Sequence, residues 1–115
     1  MDLRAWVPAF LGTLLCEGPL YFVLLRRALT PTRALLAILA LNAATHPLAW
    51  HTITSAARPL PWVFLGVEGA VVLGEALMLY SAARTRFFLK ALGMGEAVAI
   101  ALAANAFSAG VGLML

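Results

Sequence analysis

Four continuous apolar stretches, each about as long as a bilayer is thick, leave this chain very few possible folds. They cover residues 5–25, 34–54, 62–80 and 91–115, and short charged or proline-bearing segments separate them. A helix needs about 20 mostly apolar residues to cross a membrane, so each stretch is a candidate span. A transmembrane barrel would need alternating strands of about ten residues, whereas these runs are unbroken and rich in Ala and Leu. Charged residues make up only 11% of the chain and mean hydropathy is +0.96. Soluble domains carry about 25% charged residues, so a water-soluble globular domain and a disordered chain are both excluded. The expectation is one all-α transmembrane domain over residues 1–115, an integral membrane four-helix bundle. Its short connections make successive helices antiparallel neighbours.

Local signals set the helix ends. Thr30-Pro31 reads as an N-cap followed by Pro at the first helical position, and Pro59 and Pro61 mark a turn between the second and third runs. Cys16 is the only cysteine, so an internal disulfide and a cysteine metal cluster are ruled out. Met1-Asp2-Leu3-Arg4 is a poor signal-peptide start, so the first run is expected to be retained.

Basic residues give an orientation. Arg26, Arg27 and Arg33 lie in one connection, and Arg84, Arg86 and Lys90 in another, against only Arg4 and Arg58 on the opposite side. The positive-inside bias therefore puts loops 26–33 and 81–90 in the cytoplasm and both termini outside, in a bacterial or archaeal inner membrane. Trp6, Trp50 and Trp62 then fall at the outer boundary, where indole rings anchor helices. The net charge of +3 is assigned to loops facing anionic lipid; the expected partner is the bilayer, and no nucleic acid is expected.

The acids are placed differently. All eight Lys and Arg lie outside the apolar runs, but three of the five acids, Glu17, Glu68 and Glu75, lie inside them. A charge at mid-membrane costs on the order of 2.5–3.5 kcal/mol even on insertion scales. These carboxyls must be protonated, or share hydrogen-bond donors, a proton or a cation. At about 1.5 Å per residue, Glu17 and Asn42 lie roughly 12 Å from the cytoplasmic ends and Glu75 roughly 8 Å. His46 and Glu68 lie roughly 18 Å in, near the midplane.

Helical spacing gives each run one polar stripe. The stripes are Thr13, Glu17 and Tyr21; Asn42, Thr45, His46 and Ala49; Glu68 and Glu75; and Asn105 with Ser108. His51 points away from the face of His46. Turning all four stripes inward gathers Glu17, Asn42, His46, Glu68, Glu75 and Asn105 as a proton- or cation-binding cluster. Pro19 and Pro47 sit beside Glu17 and His46 and would free the carbonyls of Leu15 and Ala43. Gly66, Ala70 and Gly74 form a small-residue stripe nearly opposite the glutamates, suited to close helix packing.

Three functions fit these residues. The first is transport, or an accessory subunit of a membrane complex handling protons or a single cation, with a homo-oligomer or a larger membrane protein as partner. His46 with Glu68 is the candidate pair for a metal, although no E-x-x-H or H-x-x-x-H spacing supports it. The second is an intramembrane hydrolase in which Glu17, His46 and Glu68 activate water. The third is a purely structural subunit whose polar groups bond between helices. No Ser or Cys nucleophile sits in a supporting motif, so transport is the leading expectation and an enzyme is not favoured.

Overall fold

A computed structural model describes residues 2–55 and 61–114. Arg58 and Pro59, on which part of the orientation and turn expectations rests, lie outside them, as does Leu115. The described chain is helical, with α1 at Leu3–Leu25, α2 at Pro31–Ser55, α3 at Pro61–Ala82 and α4 at Met94–Met114. Each helix lies against its two neighbours in a ring, α1 to α2, α2 to α3, α3 to α4 and α4 to α1. The diagonal pairs do not approach, which leaves a central space for side chains.

Caps explain the helix starts. The Asp2 side chain accepts the Arg4 amide at 3.0 Å, which satisfies one of the free donors in the first turn of α1. Thr30 Oγ1 accepts the Arg33 amide at 3.4 Å, with Pro31 next to it as the first helical residue. α2 therefore begins three residues before the apolar run. α4 begins at Met94, three residues later than its apolar run. The Glu96 carboxyl turns back to accept the Gly93 amide at 3.4 Å, half of a capping box, and this fixes the start beyond Ala91.

Three helices, α1, α3 and residues 94–111 of α4, are long and apolar enough to cross a membrane. α2 has 25 residues but falls short on composition, because it carries Asn42, Thr45, His46, His51 and Thr52. Averaged hydropathy counts these against the helix, yet Asn42, Thr45 and His46 all turn toward the central space.

The buried core occupies one half of the molecule. Leu25, Leu29, Ile38, Leu41, Leu79, Phe88 and Leu92 are all under 8% exposed, and they cluster at the end where α1 stops and α4 starts. Ala97, Ala101 and Ala104 are fully buried on α4. Their spacing puts a methyl-only strip on one face, which lets backbones approach closely. The first fourteen residues of α1 and the first eleven of α3 contain no buried residue.

The two loops at the packed end are tied together. The Leu89 amide donates to the Ala28 carbonyl at 2.8 Å. Arg33 Nη1 donates to the carbonyls of Arg86 and Phe87 at 3.1 and 3.0 Å. Arg84 Nη1 donates to those of Tyr80 and Leu92 at 2.7 and 3.1 Å, and its guanidinium lies over the Tyr80 ring. Two of the loop bases therefore also bind the loops to each other and to the helix ends. Carbonyls past a helix end need donors, and two arginines supply them. Arg33→Ala is expected to lower stability by about 1–2 kcal/mol, the scale of charged hydrogen bonds. The exposed Arg26→Ala should stay within about 0.5 kcal/mol. Equilibrium unfolding in detergent measures both.

Candidate functional site

Glu75 is 0% exposed and takes a hydrogen bond from each of the other three helices. Tyr21 on α1 donates its hydroxyl to Glu75 Oε2 across the diagonal of the ring. Asn105 on α4 donates Nδ2 to the same oxygen at 2.7 Å and also meets the Ala101 carbonyl at 2.8 Å. Thr45 on α2 lies 2.9 Å from Glu75 Oε1 and 2.9 Å from the Leu41 carbonyl. One hydroxyl proton serves only one acceptor at a time. If Thr45 donates to Glu75, the carboxylate has three donors. If Thr45 donates to Leu41, its oxygen can accept a proton from a neutral Glu75. The cage therefore suits either protonation state without moving a heavy atom.

Glu17 lies one turn from Tyr21 on the same stripe and is 4% exposed. Asn42 and Ser108 stand beside its carboxyl, and Asn42 donates Nδ2 to the Ile38 carbonyl at 3.0 Å. Nothing hydrogen-bonds Glu17 Oε2. A buried polar atom left unpaired costs about 1–3 kcal/mol, more if charged, so this oxygen marks a place where the fold is not self-sufficient. Glu68 is half-buried on α3, two turns from Glu75. The three carboxyls are near enough to repel one another when ionised.

His46 sits in an aromatic cluster. Its ring lies 5.3 Å from that of Phe10 and 5.9 Å from that of Trp6, both edge-on, and stacks on Trp50 at 6.3 Å. Its Nδ1 is buried without a hydrogen-bond partner. Trp6 stacks on Phe10 at 4.8 Å, so both rings pack against His46, while Trp50 is part of the cavity wall. Trp62, 67% exposed, is the tryptophan left facing outward.

These groups line one cavity of about 340 Å³. All six residues of the sequence-derived cluster, Glu17, Asn42, His46, Glu68, Glu75 and Asn105, reach its wall, with Thr45, Ser108, Trp50 and Phe64. Among the described residues no Lys or Arg lines it. The volume holds several waters. Beyond Glu75 the way is filled by Tyr21, Leu25 and Leu79, each 0–1% exposed. Among the described residues no group of three His, Cys, Asp or Glu is placed to hold a metal ion, so His46 and Glu68 do not gather a third such ligand.

Tyr21 and Thr45 share the stripes of Glu17 and His46, but stripe position alone did not reveal that both meet Glu75. Trp50 and Phe64 carried no polar signal that would mark them as wall residues. His51 is exposed and outside the cavity, as its facing predicts. Gly66, Ala70 and Gly74 line a separate apolar groove of about 490 Å³ between α2 and α3. A methyl group added at Gly66 or Gly74 would meet nothing within 4 Å, so no helix of the same chain closes on the stripe at those two positions.

No protein-family model matches this sequence, and neither curated proteins nor solved structures include a match to it. The site therefore stands on its own chemistry.

Removing the Glu75 carboxyl strands donors from α1 and α4. Glu75→Leu is expected to destabilise the fold by at least about 2 kcal/mol, since each stranded group costs about 1–3 kcal/mol. Glu75→Gln keeps an acceptor for Tyr21 and Asn105 and should cost less than half as much. Thermal unfolding of the two variants side by side reads the difference.

Proposed function

We propose that this chain is a small polytopic membrane protein that handles protons or a cation through its acid-lined cavity, as a homo-oligomer or as an accessory subunit of a larger membrane complex. The observation that carries this reading is Glu17: a buried carboxyl with an unpartnered oxygen, in a cavity with two further carboxyls and, among the described residues, no Lys or Arg. Buried acids are costly, and an exchangeable proton or cation is the direct way to neutralise them. Glu75 favours the structural reading for itself, because its partners on three helices make it a fixed tie. Exchange then belongs to Glu17 and Glu68.

In this reading all four helices cross the membrane as antiparallel neighbours. Loops 26–33 and 81–90 face the cytoplasm of a bacterial or archaeal inner membrane, and both ends lie outside. The cavity then faces outward and the packed core seals the cytoplasmic side, so passage through the chain needs that core to rearrange or a partner to complete the route.

Two measurements test the proposal. In proteoliposomes with a pH gradient or a cation gradient, wild-type protein should dissipate one of them, and Glu17→Gln should reduce the rate at least tenfold with thermal unfolding unchanged. Equal rates in both proteins would overturn it. For orientation, Leu3→Cys and Leu89→Cys, each in a Cys16→Ser background, are exposed positions whose substitution leaves the charge balance alone. A membrane-impermeant maleimide applied outside intact cells should label position 3 and not position 89. Ala28, in the other loop expected on the cytoplasmic side, is buried and would be a poor reporter.

A further inference from the structure

The cavity has two kinds of wall. Its inner part carries Glu17 and Glu75 with Asn42 and Asn105, and its outer part carries Trp50 and Phe64, with Glu68 and His46 between. An inorganic ion would need close ligands on all sides, and no three acidic, histidine or cysteine side chains converge to provide them among the described residues. A volume of about 340 Å³ also far exceeds what a bare ion or a single proton carrier fills. It falls at the small end of organic ligand sites, which run from about 300 to 1,000 Å³.

Acceptors are what the inner wall has to spare. Glu17 Oε2 is buried with nothing bonded to it, as is His46 Nδ1, which accepts when the ring proton sits on Nε2, and the half-buried Glu68 adds a further carboxyl. A primary ammonium group carries a positive charge and three N–H donors, which answers both the charge and the unmet acceptors. Aromatic walls attract cations and accept the apolar body attached to them. We propose that the cavity binds a small primary alkylammonium ion, its head toward Glu17 and Glu68 and its carbon chain against Trp50 and Phe64. This rests on the cation-handling reading above and names the substrate class of the same site.

Calorimetric titration of n-butylammonium into the full chain in lipid nanodiscs tests this at fixed pH. Saturable binding is expected, weakened at least tenfold by Glu17→Gln and severalfold by Trp50→Leu, and retained within about threefold by Glu17→Asp, which keeps the carboxylate. Tetramethylammonium, which has no N–H donor, should bind at least tenfold more weakly, and a tenfold excess of sodium should not displace the amine. Absence of butylammonium binding to wild-type protein overturns the inference, and so does equal binding by Glu17→Gln. Tetramethylammonium binding as tightly, or displacement by sodium, also overturns it. The gradient assay separates the two levels. Glu17-dependent flux without butylammonium binding leaves proton or inorganic-cation handling standing and removes this inference. Glu17-dependent binding without flux supports the amine site and removes transport. If neither is seen, both fall.

Discussion

The hydrogen bonds that converge on the Glu75 carboxyl set the geometry on which the rest of the site depends. Helices packed in a ring leave a gap along the diagonals, and in an apolar surrounding no hydrophobic force draws the far pair together. Tyr21 crosses that gap to Glu75, while Thr45 and Asn105 reach the same carboxyl from the two sides. The bonds fix the rotation of each helix about its axis. Rotation in turn decides which residues face the central space, so Glu17, Asn42, His46 and Glu68 reach the cavity because Glu75 is held where it is. A purely apolar bundle of similar volume could rotate or slide with little loss. Buried polar groups with fixed partners cannot, since each one displaced forfeits its bond at low dielectric.

On one side of this polar layer the packing is dry and close. α4 contributes almost nothing larger than alanine to its buried face, so the bulk comes from Leu25, Leu29, Leu79, Phe88 and Leu92 on its neighbours. The arginines that tie the loops cover the end of this half. On the other side the helices surround the cavity, and Leu3, Val7, Leu11, Trp62 and Leu65 stay exposed. A tight half and a loose half in one small bundle give the site a firm base and an adaptable mouth.

Much of this was legible in the sequence. The four helices follow from the apolar runs, and the start of α2 from Thr30-Pro31. The gathering of six polar residues follows from 100° spacing and the cost of facing lipid. What could not be read has a common physical origin: it depends on distances between helices. Stripe position put Tyr21 beside Glu17 but could not show that its hydroxyl reaches across the ring. Loop arginines look alike in sequence, yet Arg33 and Arg84 lie within reach of unpaired carbonyls while Arg26 and Arg27 are exposed. Hydropathy extends through Ala91 and Leu92, whereas the Gly93–Glu96 cap starts the helix itself at Met94 by hydrogen bonding.

The three acids within the apolar runs look equivalent as a pattern, and their surroundings separate them. Glu75 is saturated with donors, and its removal breaks ties to other helices, so any ligand that took its oxygens would have to compete with the fold. Glu17 is almost as deeply buried, but one oxygen has no partner, so a ligand there gains a bond without costing the protein one. Glu68 is half-buried at the level where the aromatic wall begins, which gives an incoming positive charge its first carboxyl. That order, from an accessible acid to a buried unpaired one to a locked one, creates a gradient of demand for positive charge along the cavity. Under the proposed cation-binding reading, a cation drawn past Glu68 would stop at Glu17, because the Glu75 carboxyl beyond it is already bonded by the protein itself and the path is closed by Tyr21 and Leu25.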